Sequence, residues 1–247
     1  MTRLVVLHGA YLTGRSMAPL TQCLSEAMPD ASITAPDLLG HGIEACAPDV
    51  SLGTQAAALA DSFMADRPVI VGFGFGARVA LQALRDWAVP PAGLVLIGAG
   101  LGPAWGPSTV AGLAARGQTP APRAAFLEPL IAGWFASPSS GNVRSLARIA
   151  GQMTAGAFER VLAATRVPAG RIGGNRRVPT LILHGAADCN RRPSEAQALA
   201  ELLEGEIEVF LEGGHALPFE MPGAVAGRIA GWHTRAFAPP AAAAAAE

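Results

Sequence analysis

The sequence contains no lysine. All 18 basic residues are arginine, set against 19 acidic ones, and only 15% of the 247 residues are charged. The charges are mixed along the chain and no basic block stands out, so nothing here is built to neutralise a row of phosphates, and nucleic acid is not expected as a partner. Exclusive use of arginine in a chain rich in Ala, Gly and Pro reads as genomic base bias. Cysteine is scarce too. Cys23, Cys46 and Cys189 are an odd number without CxxC spacing, which argues against a disulfide framework and a zinc module and leaves three reduced packing residues. No His/Cys/Asp cluster has ligand spacing, so neither a metal nor an organic cofactor is implied. The first residues, Met1 to Leu7, lack a charged segment followed by a long apolar one, and no apolar run reaches transmembrane length. The expectation is a soluble cytoplasmic protein with no membrane partner; nothing in the pattern specifies an oligomer.

What is present is apolar residue, 51% of the chain, in an amount that suits one α/β domain. Short apolar runs alternate with longer amphipathic ones. Leu4 to Leu7, Ile33 to Ala35, Val69 to Val71, Leu94 to Ile97, Thr180 to Leu183 and Ile207 to Leu211 read as strands. Helical stretches are expected over Ser16 to Ala27, Leu52 to Met64, Ala77 to Trp87, Ser194 to Leu203 and Ala224 to Phe237. This is the alternation of a parallel sheet covered on both faces. From Leu101 to Gly174 the rhythm breaks into Pro- and Gly-punctuated helical pieces, Arg123 to Phe135, Asn142 to Met153 and Ala157 to Thr165. The expected organisation is a core of residues 1–100 and 175–238, an inserted helical cap over 101–174, and an Ala-rich tail, 239–247, without an evident role.

In an open parallel sheet, ligands sit beyond the carboxyl ends of the strands. The residues there are His8-Gly9-Ala10-Tyr11, Asp37-Leu38-Leu39-Gly40-His41-Gly42, Gly72-Phe73-Gly74-Phe75-Gly76, His184-Gly185-Ala186-Ala187-Asp188 and Gly213-Gly214-His215. In this order they resemble the α/β-hydrolase superfamily over nearly the whole chain outside the cap and tail. The spacing and the Trp134-Phe135 pair look most like small bacterial hydrolases of enol-lactones, C–C bonds or simple esters. The resemblance implies a mostly parallel sheet flanked by helices, with the cap inserted after the strand that follows the nucleophile-elbow helix. It also implies that the elbow Gly-x-Ser-x-Gly falls on Gly72 to Gly76, so that the nucleophile position is occupied by Gly74. By the same transfer, Asp188 matches the acid, His215 the base, and the Phe75 and Ala10 amides the oxyanion donors. Tyr11, Trp134 and Phe135 are the candidate substrate contacts.

A glycine cannot form an acyl-enzyme, so covalent serine catalysis is excluded for the sequence as it stands. An Asp-His dyad beside an oxyanion site can still take a proton from water or substrate. The Gly-x-Gly-x-Gly run is not the dinucleotide fingerprint Gly-x-Gly-x-x-Gly, and Asp86 lies within the next helix instead of after a next strand. Asp188 as a helix cap and His215 as a packed histidine are the plainer alternatives. His8, His41 and Asp37 are expected to support the loops, and His184 and His233 to be structural or exposed. Cys189, though next to Asp188, belongs to no nucleophile motif. The leading expectation is an enzyme that hydrolyses a small carbonyl compound, an ester, lactone or C–C bond. Trp105, Phe126, Trp134, Phe135 and Phe158 in the cap suggest that the substrate is apolar or aromatic. The alternatives are lyase- or cyclase-type acid–base chemistry, a serine hydrolase in which serine has been replaced by glycine through engineering, and a non-catalytic ligand-binding homologue.

Overall fold

The computed structural model describes residues 1–100, 102, 111, 112, 115, 120–167 and 177–238. Six strands, β1 (Arg3–Leu7), β2 (Ser32–Thr34), β3 (Val69–Phe73), β4 (Gly93–Ile97), β5 (Thr180–Gly185) and β6 (Glu206–Phe210), form one sheet in the order β2-β1-β3-β4-β5-β6. Every pairing is parallel. The four inner strands are almost entirely buried and mostly apolar because helices cover both faces; in register, Val6, Val71, Val95 and Leu181 make one buried row across them. The edge strands β2 and β6 are only partly covered, and β6 carries Glu206 and Glu208 at that edge.

From β1 the chain steps outward to β2, then crosses back over β1 to β3 and continues the other way to β6. The order therefore reverses between β1 and β3. Loops leaving neighbouring strands in opposite directions open a crevice, and this one lies at the ends of β1 and β3.

The core helices are α1 (Ala18–Ala27), α2 (Leu52–Phe63), α3 (Phe75–Asp86), and beyond the insertion α7 (Pro193–Leu203), α8 (Leu217–Glu220) and α9 (Pro222–Ala236). The starts of α1 and α3 differ from the sequence expectation for identifiable reasons. Before α1, Gly14–Met17 winds as a 3-10 turn capped by Thr13, whose hydroxyl accepts from the Ser16 amide at 3.2 Å, and Pro19 sits in the first turn of α1 where no N–H is needed. Helix α3 starts at Phe75, two residues earlier than expected, because Gly76 is helical: a Cβ there would lie 2.5 Å from the Leu7 carbonyl oxygen, so glycine lets α3 press onto β1.

Between β4 and β5 the described part of the insertion holds α4 (Pro120–Ala132), α5 (Ser140–Gly151) and α6 (Ala155–Arg166). Ser139 and Thr154 cap α5 and α6 by accepting from the Asn142 and Ala157 amides. Buried Arg123 donates to the carbonyls of Gly151 and Met153, closing the end of α5, and its guanidinium lies over Phe158. Around it Leu127, Ile131, Val143, Leu146 and Val161 are buried. Trp105 and the tail 239–247 lie outside the described residues. No described helix is long and apolar enough to cross a membrane. The cysteines depart from the packing expectation. Cys23 is half-buried against the core, whereas Cys46 and Cys189 sit exposed in loops.

Candidate active site

The turn from β3 into α3 brings three glycines to the crevice. Two are sterically required: a Cβ on Gly72 would lie 2.5 Å from the Ala77 Cα, and Gly76 has the conflict with β1 already described. Gly74 differs. Its φ is +52°, but among the described residues a Cβ on it would meet only His215 Nε2 at 3.6 Å and Gly9 Cα at 3.9 Å. The Gly74 amide is tied to the Ile97 carbonyl and the Gly76 amide to His8, so the turn is held from both neighbouring strands. The amides of Ala10 and Phe75, on the two sides of the crevice, find no backbone acceptor among the described residues.

His215 follows β6 and Asp188 follows β5. Nδ1 of His215 donates to Asp188 Oδ2 at 2.8 Å, which leaves Nε2 directed toward Gly74. The other carboxylate oxygen accepts from the Asn190 and Arg191 amides at 2.8 and 2.9 Å. Burial by itself would raise the Asp188 pKa, but its hydrogen bond and charge interaction with His215 and the Arg191 amide outweigh it and hold the carboxyl below its ordinary value. Asp188 is no cap for α7, which starts at Pro193 with Arg192 before it.

The model of the Alpha/beta hydrolase family matches residues 4–228. The chain belongs to that family. Solved structures agree at the level of fold. An esterase from Exiguobacterium antarcticum has a TM-score of 0.82 at 20% identity, covering 94% of this chain and 91% of that one. The esterase RhEst1 from Rhodococcus sp. has 0.78 at 22%, covering 95% and 91%. Est816, described as an N-acyl homoserine lactone degrading enzyme, has 0.73 at 20%, covering 94% and 93%. None of the curated proteins matches.

In this α/β-hydrolase a cavity of ≈ 40 Å³ is lined by Gly9, Ala10, Gly74, Phe75, Trp134 and His215, and equally by Arg78, Thr165, Asn190 and Arg191. The structure thus brings together His215, Asp188, Gly74, Phe75, Ala10 and Trp134, whose indole stands edge-on to the imidazole at 5.9 Å. Tyr11 and Phe135 are placed elsewhere. Tyr11 is buried with its ring stacked on Phe158 at 4.6 Å and borders a separate cleft of ≈ 820 Å³ between the β1 loop and α5. Phe135 is buried and does not line the small cavity. Phe158 belongs to the interior of the insertion, so among the described residues Trp134 is the cap aromatic at the cavity.

The supporting histidines bind loop to loop. His8 Nε2 accepts from the Leu38 amide at 3.0 Å while Nδ1 donates to Gly9; His41 Nε2 accepts from Tyr11 at 3.1 Å while Nδ1 donates to Leu39. Burial, with His41 close by, keeps His8 well below its ordinary pKa, and burial lowers His41 to about 4, so both are neutral. Asp37 accepts from the Gly14 and Ile43 amides at 2.7 and 3.0 Å. His184 is buried and donates to the Arg191 carbonyl; His233 is half-buried, stacked on Phe237. Sequence reasoning passed over two residues. Arg78 stands one turn along α3 from Gly74 and is buried at the cavity. Glu220 in α8 accepts from both the Gly214 amide at 2.8 Å and the Ser137 amide at 2.9 Å, joining the His215 loop to the insertion. A motif search has no position for either, but a lone charge in an apolar helix face is the visible trace of Arg78.

Proposed function

We propose that this chain hydrolyses a small carbonyl substrate, an ester, lactone or activated C–C bond, with water as nucleophile and without a covalent intermediate. The observation that carries the reading is the position of Gly74: the point where a side chain would start is open and lies 3.6 Å from His215 Nε2. A water in that place hydrogen-bonds to Nε2. His215 takes its proton as the water oxygen bonds to the carbonyl carbon, and Asp188 stabilises the imidazolium through the 2.8 Å hydrogen bond. The Phe75 and Ala10 amides receive the negative carbonyl oxygen, and His215 returns the proton to the leaving group as its bond to the acyl carbon breaks. Trp134 walls the cavity, the insertion acts as a cap that selects the substrate, and Tyr11 and Phe135 hold the cap side of the site in place.

The test pairs the protein with Gly74→Ser and His215→Ala. The native chain turns over p-nitrophenyl esters without fluorophosphonate labelling, and His215→Ala loses roughly 10²- to 10⁴-fold of that rate. Gly74→Ser becomes labelled, because an Oγ built on that Cβ comes within reach of Nε2. Absence of turnover across ester, lactone and β-diketone substrates in folded protein overturns the proposal.

A further inference from the structure

Arg78 is 2% exposed and reaches the cavity from the first turn of α3. One nitrogen, Nη1, donates to the Thr165 carbonyl at 2.7 Å, fastening α3 to α6. The other two, Nε and Nη2, are buried, and among the described residues they have no hydrogen-bond partner and no carboxylate pairs with Arg78. Burial first, and then the nearby Arg191 charge, lower its pKa to about 10, so it remains a cation at neutral pH. Arg191 itself is satisfied, by Glu195 at 3.1 Å and the Gly102 carbonyl at 2.8 Å.

A buried guanidinium without a counter-charge is costly, and Asn190 Nδ2, also buried and unpartnered, adds a third unused donor on the same cavity. Water can satisfy hydrogen bonds there but brings no charge. Nε and Nη2 are neighbours on one edge of the planar fork, the pair of donors that takes both oxygens of a carboxylate. The same cavity holds Gly74, His215 and the Ala10 and Phe75 amides, and at ≈ 40 Å³ it admits roughly three waters, the bulk of a carboxylate rather than of a larger anion. We propose that the substrate carries a carboxylate close to its reacting carbonyl, and that the free edge of Arg78, with Asn190, binds it. This rests on the hydrolytic reading for the identity of the reacting carbonyl; the anion site rests on Arg78 alone. Arg78 is then the specificity determinant of the cavity, and carboxylate-bearing substrates are turned over faster than the neutral p-nitrophenyl esters.

The test is calorimetric binding of acetate and pyruvate at constant ionic strength, with acetamide as the uncharged isostere and inorganic phosphate as the rival anion. The expected result is saturable carboxylate binding, none by acetamide, and at least about tenfold weaker binding in Arg78→Met. Arg78→Lys, which keeps a charge and a donor toward Thr165, guards against a folding defect in the methionine variant and binds carboxylate more weakly than the native chain because it lacks the paired edge. No carboxylate binding, equal binding of acetamide, preference for phosphate, or affinity unchanged in folded Arg78→Met or Arg78→Lys overturns the proposal. Binding needs no turnover. Arg78-dependent binding in a chain that hydrolyses nothing overturns the hydrolytic reading and leaves the anion site standing.

Discussion

His41 gives both ring nitrogens to backbone, accepting from Tyr11 and donating to Leu39, and this use of the ring is possible only while it is neutral. Its folded pKa is lowered from 6.5 to about 4, so below 6.5 the unfolded chain binds a proton that the folded chain refuses. Stability is complete above pH 6.5 and is lost as pH falls through the folded value, by about 3 kcal/mol from this residue. Thermal unfolding between pH 7 and pH 4 should show that fall, and His41→Gln should reduce it, the share from buried His8 remaining. Asp188 works in the same direction at lower pH, since its depressed pKa makes its contribution disappear when the carboxyl is protonated. Asp188→Asn keeps an acceptor for the Asn190 and Arg191 amides but loses the charge opposite the imidazolium. Any His215-dependent turnover should fall roughly 10²- to 10⁴-fold, with the Tm changing little beside it.

At the scale of elements, the site is a meeting of strand ends, and that much was legible in the chain. Each of the six apolar runs is a strand, and the glycines at 72 and 76 sit where close packing of α3 requires them. Helix starts were less legible because Gly76 reads as a loop residue until β1 is known to lie against it. Glu220 was not legible, and Arg78 only as a lone charge in an apolar helix face, without its partner. Each acts through partners far away in sequence, Glu220 on Ser137 and Arg78 on Thr165, and no local pattern encodes such a contact. Glu220 ties the His215 loop to the insertion with one carboxylate. Glu220→Gln has one acceptor oxygen in place of two, so one amide is abandoned, with an expected loss of about 1 kcal/mol by denaturant unfolding. Hydrogen exchange should quicken at whichever of the Gly214 and Ser137 amides loses its acceptor, and at both in Glu220→Ala.

For the whole molecule, the sheet order places two structurally different requirements on one crevice. Gly76→Ala drives a methyl into the Leu7 carbonyl and should cost about 3 kcal/mol or abolish folding, read as a drop in Tm, because α3 cannot leave β1 without disturbing the inner strands. Gly74 packs against nothing that a methylene would displace, yet its backbone at φ +52° and ψ -104° is one that glycine alone occupies freely. Gly74→Ser therefore fits without a clash but should lower stability by about 1–3 kcal/mol through the backbone alone. Activity and robustness are thus coupled at a single residue: the present chain rests in a relaxed turn, and any gain in reactivity from a hydroxyl there comes with a lower melting temperature.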